Sequence, residues 1–342
     1  MEGYRKAVAG DIASLDLLTG HGDELTITGV SATSVQTVSA PRAMLGDIKI
    51  AHSVFALPFA LLGGAMAAWP PASATATPLH GGEVLGVLLL IVAAMAAART
   101  AAMLANRIFD RELDARNPRT ALRPLAAGSV SLRAYVIGLI GSSACFVVLS
   151  LIFWWSMGNP WPSILAVPVL VWICAYGLFK RFTALCHLWL GASLALSVPA
   201  AAIAVNPAAI PGQPAMWLLA VMVWCWVAGF DVIYALQDVD VDEAQGLYSM
   251  PSRLGASRAI WVSRVLHIAA VASLVAAWLI DKRLEGWFFA ATIVVAALLI
   301  VEHATVRRWG TTRMAITFFT LNGVVSCVLG AAGIIDLFAN AN

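Results

Sequence analysis

From about residue 44 onward the chain alternates long apolar runs with short polar breaks. Nine runs stand out, at residues 50–69, 84–105, 134–155, 162–179, 185–204, 215–236, 260–280, 287–303 and 314–338. Each is near the roughly 20 residues that cross a hydrocarbon core about 30 Å thick. Backbone groups in lipid must be satisfied within the segment, so the pattern predicts helices. The expected fold class is an all-α membrane protein with nine transmembrane helices. Residues 1–42 break the pattern: they are rich in Gly, Ser, Thr and Asp and hold no uninterrupted apolar run, unlike a cleavable signal peptide. They are expected to form a mobile tail ahead of a membrane domain over 43–342.

Composition strengthens the membrane reading. Of 342 residues 61% are hydrophobic and 12% charged, with a mean hydropathy of +0.84, more apolar surface than a water-soluble fold can hide. A formal net charge of +2, with dispersed basic residues, points away from a nucleic-acid partner and leaves the lipid bilayer as the surroundings. The five cysteines lie inside apolar runs without paired spacing and read as small buried hydrophobes. With the N-terminus in the cytoplasm, all but three of the 21 Lys and Arg residues fall on the cytoplasmic side. Lys282 and Arg283 fall opposite, and Arg99 lies within a span. That asymmetry is the positive-inside signature, so the tail and the two longest loops are expected inside the cell, most simply at a bacterial inner membrane.

Those two loops, after the second and sixth runs, carry the candidate chemistry. If the second helix continues past the apolar run, Asn106, Asp110 and Asp114 share one face at i, i+4 and i+8. Arg99, seven residues earlier, falls close to that face. After the sixth run Asp231, Tyr234, Asp238 and Asp242 sit at i, i+3, i+7 and i+11, one face of a continuous helix. On such a helix Asp231 lies about 10 Å deeper than Asp238, and a carboxylate at that depth is costly enough to mark a site. A solvated loop helix accounts for either cluster alone, but not for two D-x-x-x-D pairs each at the end of a span. Magnesium binds through one or two carboxylates and completes its shell with water and phosphate oxygens, so the two pairs suit a magnesium-bound diphosphate. Nearby arginines and lysines then neutralise the remaining charge. His187, His267 and His303 are spread over three spans without ligand spacing and read as satisfied polar residues.

The motifs N-R-x-x-D-x-x-x-D with N-P-R-T-x-x-R-P, over Asn106 to Pro124, and Y-x-x-Q-D-x-x-x-D with S-x-P-x-R-x-G, over Tyr234 to Gly255, resemble the signature regions of the UbiA superfamily of intramembrane prenyltransferases. The resemblance implies nine helices around a central cavity, Mg²⁺ dependence, and transfer of a polyprenyl group from its diphosphate to an aromatic acceptor. It implies that Asn106, Asp110 and Asp114 hold one magnesium, and Asp238 and Asp242 the other. It further implies that Arg99, Arg119, Arg123, Tyr176 and Lys180 face the diphosphate, and that Asp231, near Tyr234, orients or deprotonates the acceptor phenol.

The first span departs from the 4-hydroxybenzoate branch, which usually carries an R-x-D-[KR]-P segment there. Here the text Lys49-Ile50-Ala51-His52-Ser53-Val54-Phe55-Ala56-Leu57-Pro58-Phe59 resembles the subgroup of the futalosine route to menaquinone, whose acceptor is 1,4-dihydroxy-6-naphthoate. Lys49 or His52 would then meet the acceptor carboxylate. The alternatives are 4-hydroxybenzoate prenylation for ubiquinone and, in another class, a transporter or lipid-binding protein built around Asp231. The D-G-x-x-A-R text of CDP-alcohol phosphotransferases is absent from the sequence.

Overall fold

The structure, a computed structural model, describes residues 39–48, 54–71 and 81–340. Every regular element among them is helical. Helix α1 (Ala40–Asp47) crosses the expected tail boundary at residue 42 and is followed by α2 (Leu57–Ala68) and the 36-residue α3 (Gly81–Arg116). Next come α4 (Leu132–Met157) and α5 (Trp161–Ala175), which tightens into a 3₁₀ turn over Tyr176–Arg181. Helices α6 (Cys186–Ala195) and α7 (Ser197–Val205) lead, through a 3₁₀ turn over Pro207–Gly212, to α8 (Pro214–Ala235). Short α9 (Val239–Ala244) and α10 (Met250–Leu254) precede α11 (Ala256–Ile280) and α12 (Gly286–Trp309). A wide π turn over Ala315–Leu321 enters the last helix, α13 (Asn322–Ala339).

Eight of these segments are long and apolar enough to cross a membrane, by length and composition. The run expected to span over 50–69 contributes only the 12-residue α2, and residues 49–53 lie outside the described ones. The run at 185–204 is one span but two helices. Pro199 has no N–H to give the carbonyl of Ala195, and the helix breaks at Leu196.

Helix α8 is the axis of the packing. It lies mainly against α11 and α6 and buries Leu219, Met222, Trp226 and Phe230. Small residues let other helices close in: a Cβ on Gly63 of α2 would stand 2.6 Å from the carbonyl oxygen of Val198 on α7. The outer faces are the reverse, with Ile137, Ile140, Val148 and Trp155 of α4 exposed, a surface that makes sense against hydrocarbon. All five cysteines are free, but Cys145 and Cys327 sit on this exposed surface rather than in the core. In a spanning helix an apolar residue can satisfy its environment from either side.

At the end of the bundle remote from the acidic clusters, Arg283 ties the ends of three helices together through four partners. Its guanidinium reaches Asp281 at 2.5 Å, Gln213 Oε1 at 2.8 Å, the Met66 carbonyl at 3.2 Å and the Trp69 carbonyl. Asp336 of α13 caps the N-terminus of α12, accepting the N–H groups of Glu285 at 2.7 Å and Phe288 at 2.8 Å.

Candidate active site

Helix α3 stays intact to Arg116, so the register expected of Asn106, Asp110 and Asp114 holds, and all three are buried. The 3₁₀ turn after α5 crosses them closely, with Gly177 against Asn106; a Cβ there would stand 2.5 Å from Asn106 Nδ2. The crossing delivers Lys180, whose Nζ is 2.6 Å from Asp110 Oδ2, and Arg181, whose Nη1 is 3.3 Å from Asp110 Oδ1. Both cations of that turn therefore meet the carboxylate, not Lys180 alone. Arg123, from the loop after α3, places Nη1 at 2.8 Å from both oxygens of Asp114. At the cavity edge Arg107 pairs with Asp47 of α1 at 3.1 Å and donates to Asn106 Oδ1 at 3.0 Å. The Tyr135 hydroxyl of α4 donates to Asp47 at 2.7 Å. This arrangement turns the Asn106 amide so that Nδ2 faces Asp110 at 3.2 Å.

The second cluster differs from the continuous helix read from its spacing. Helix α8 ends at Ala235, and Asp238 is the residue that opens α9. The break turns the acidic segment back over the cavity instead of continuing along α8, so the depth separation calculated along one axis does not apply. Asp238 still faces the first cluster: Arg119 grips it with two bonds, Nε to Oδ1 at 2.9 Å and Nη2 to Oδ2 at 2.5 Å, and Asn117 donates to Oδ1 at 3.0 Å. Arg119 also donates to the Tyr234 hydroxyl at 3.1 Å. Burial, with the nearby Asp238 charge also contributing, pushes the Asp242 carboxyl above the ordinary range. Asp240 is exposed, as its position off this face implies.

Deeper in the bundle, His187 at the start of α6 reaches Asp231 of α8, Nδ1 to Oδ2, at 2.7 Å. His267 and His303, expected to be satisfied polar residues, meet at 3.1 Å. They lie beside Glu302, which accepts from Asn322 at 3.2 Å.

The two acidic clusters, their cations and the His187–Asp231 pair line a cavity of about 250 Å³. Of the residues expected at the site, Asn106, Asp110, Asp114, Arg119, Arg123, Tyr176, Lys180, Asp231, Tyr234, Asp238 and Asp242 all line it. Arg99 is not among the lining residues, and its buried Nε has no hydrogen-bond partner. Lys49 and His52 lie outside the described residues. Asn117 and Arg107, to which no motif position assigned a site role, and His187, expected only as a satisfied polar residue, also line the cavity. Asn117 had a signal in its place before Pro118 in the first motif; His187 had none, because its partner is 44 residues away.

The donor set suits a hard divalent cation. Among the described residues no group of three or more His, Cys, Asp or Glu side chains could hold a metal by itself. Paired carboxylates beside cations are what an ion sharing its shell with phosphate oxygens requires. Asp110 Oδ1, buried, faces the Arg181 guanidinium at 3.3 Å without a formed hydrogen bond, and is one such oxygen.

Comparison with known proteins agrees with this geometry. The chain is 29% identical to a 4-hydroxybenzoate octaprenyltransferase of Nitrosomonas eutropha over 250 residues, 73% of this chain and 84% of that one. It is 30% identical to the enzyme of the same name from Shewanella woodyi over 226 residues, 65% and 75% of the two chains. Among solved structures, the apo form of a UbiA homolog from Aeropyrum pernix K1 superposes with a TM-score of 0.72 at 32% identity, covering 84% of this chain and 98% of that one. A UbiA homolog from Archaeoglobus fulgidus bound to GPP and Mg²⁺ shares the fold at a TM-score of 0.62 and 16% identity, covering 86% and 99%. The model of the UbiA prenyltransferase family matches residues 56–330, and with two acidic clusters facing each other across one cavity the chain is a member of that family.

Proposed function

We propose that this prenyltransferase uses Mg²⁺ to move a polyprenyl group from its diphosphate to the ring of a hydroxylated aromatic carboxylate. The observation that carries the reading is the convergence of both acidic clusters and their cations on a single cavity. Asp110 and Asp114, with Asn106 beside them, would hold one magnesium; Asp238 and Asp242 would hold the other. Bound there, magnesium neutralises the diphosphate and makes it a better leaving group. Arg119, Arg123 and Lys180 bind and orient the diphosphate, since each presents a charged donor at the cavity wall. Asp231 and Tyr234, on the α8 side, orient the acceptor. The Archaeoglobus fulgidus homolog, which shares this fold and was solved bound to GPP and Mg²⁺, accords with both the metal and the donor class.

For the acceptor we favour 1,4-dihydroxy-6-naphthoate and menaquinone synthesis, on the text from Lys49 to Phe59. The second reading, 4-hydroxybenzoate on the ubiquinone route, is favoured by the names of the relatives. The ninth span would comprise α2 and the residues before it, with the N-terminus and cavity on the cytoplasmic face of a bacterial inner membrane. The Lys and Arg asymmetry supports this placement.

Membranes containing the chain, supplied with magnesium and a polyprenyl diphosphate, test the reading when offered each acceptor and analysed by product mass. A prenylated dihydroxynaphthoate is expected. A product with 4-hydroxybenzoate alone moves the assignment to the second reading, and no product with any hydroxylated aromatic carboxylate overturns both.

A further inference from the structure

We infer that His187 is a positioning residue for the aromatic acceptor: it occupies one oxygen of Asp231 and leaves the other open to a hydroxyl of the acceptor. The inference rests on Asp231 being the acceptor-side carboxylate.

The two nitrogens of His187 have distinct partners. Nδ1 stands 2.7 Å from Asp231 Oδ2, and Nε2 stands 3.2 Å from the backbone nitrogen of Met250. A backbone N–H can only donate, so Nε2 is the acceptor and Nδ1 carries the ring proton, which it gives to the carboxylate. The tautomer is thus set by the main chain of a neighbouring segment. The ring is 4% exposed and held at both ends, so it cannot turn to serve another partner. No described residue donates a hydrogen bond to Asp231 Oδ1, although the carboxylate lines the cavity.

The segment that fixes the ring is itself tied down. The Tyr248 N–H donates to the Lys180 carbonyl at 2.6 Å, and Cys186 Sγ donates to the Tyr248 carbonyl at 3.4 Å. Residues 248–250, which follow the second acidic cluster and lead into α10, are therefore tied to the 3₁₀ turn at Lys180 and to the start of α6 at Cys186 and His187. The same histidine joins the diphosphate end of the site to the acceptor end. Groups held in this way orient a reacting residue more strictly than packing alone.

The ligand chemistry follows. An open carboxylate oxygen in a buried pocket welcomes a donor, such as a phenolic O–H, and repels an ether oxygen, which would set lone pair against lone pair. Recognition through Asp231 should therefore require a free hydroxyl.

The test uses the full-length protein with magnesium, a polyprenyl diphosphate and the acceptor that the wild type prenylates, comparing His187→Leu with His187→Asn. Leucine removes both contacts; the asparagine amide keeps a donor near the Nδ1 position. His187→Leu is expected to raise the acceptor KM by about 10- to 100-fold while the prenyl diphosphate KM stays within about twofold, and His187→Asn to recover most of the loss. The acceptor methylated at every ring hydroxyl should be a poor substrate of the wild type. An unchanged acceptor KM in His187→Leu, equal shifts in both KM values with no recovery by asparagine, or equal use of the methyl ether would each overturn the inference. A wild type that prenylates no hydroxylated aromatic overturns instead the reading on which the inference rests.

Discussion

Asp110 has an amide at 3.2 Å, an ammonium at 2.6 Å and a guanidinium at 3.3 Å, from three different positions of the chain. Asp238 is similarly encircled by Arg119 and Asn117. Carboxylates so placed act through charge, so Asp238→Ala should lower turnover by roughly two orders of magnitude or more, while the protein still inserts and stays folded. Wild-type-like turnover of the purified variant at saturating magnesium would contradict the assigned role. Asp47 is a different kind of residue, since it supports the site from behind. Its loss leaves Arg107 buried without its counter-ion, which costs about 3–5 kcal/mol. Asp47→Ala should therefore show a lowered unfolding midpoint in detergent, with part of the loss recovered by adding Arg107→Met. The carboxylates of the first cluster were legible in the sequence because a helix brings i and i+4 together by local geometry. Asp47, Tyr135 and His187 were not legible, because their partners are 60, 88 and 44 residues distant and no local pattern records such pairings.

Spanning helices are the most legible elements of this chain, since length and apolarity are both properties of consecutive residues. Their interruptions are less so. The break at Leu196 follows from Pro199, which the sequence displays, but the end of α8 at Ala235 has no proline or glycine to announce it. The backbone there turns between Leu236 and Asp238, and a smooth i, i+3, i+7, i+11 pattern passed straight through the turn. Gly177 shows how tightly two elements are set around the first cluster. Its missing side chain is the space in which the Asn106 amide sits, so Gly177→Val should push the 3₁₀ turn and its Lys180 away from α3. The expected outcome is a rise of about tenfold or more in the prenyl diphosphate KM with little change in the acceptor KM. An unaltered prenyl diphosphate KM would mean that the turn tolerates the shift.

Among the described residues, the metal-suited carboxylates and the cations paired with them lie at one end of the bundle, and Arg283 with its four partners lies at the other. All the polar cavity residues come from 106–123, 176–187 and 231–249, segments that gather at a single face. A transporter needs a polar route to both faces, whereas Arg283 binds the ends of α2, α8 and α11 into one knot where such a route would emerge. That knot bears on bioenergetics. A diphosphate that enters and leaves by the same side carries no net current through the bilayer, and each elementary charge that did cross would couple to the field by about 2.3 kcal/mol per 100 mV. Turnover in sealed vesicles should therefore be the same whether an imposed potential is positive, negative or collapsed by an ionophore, and a rate that tracks the potential would mean that the knot opens.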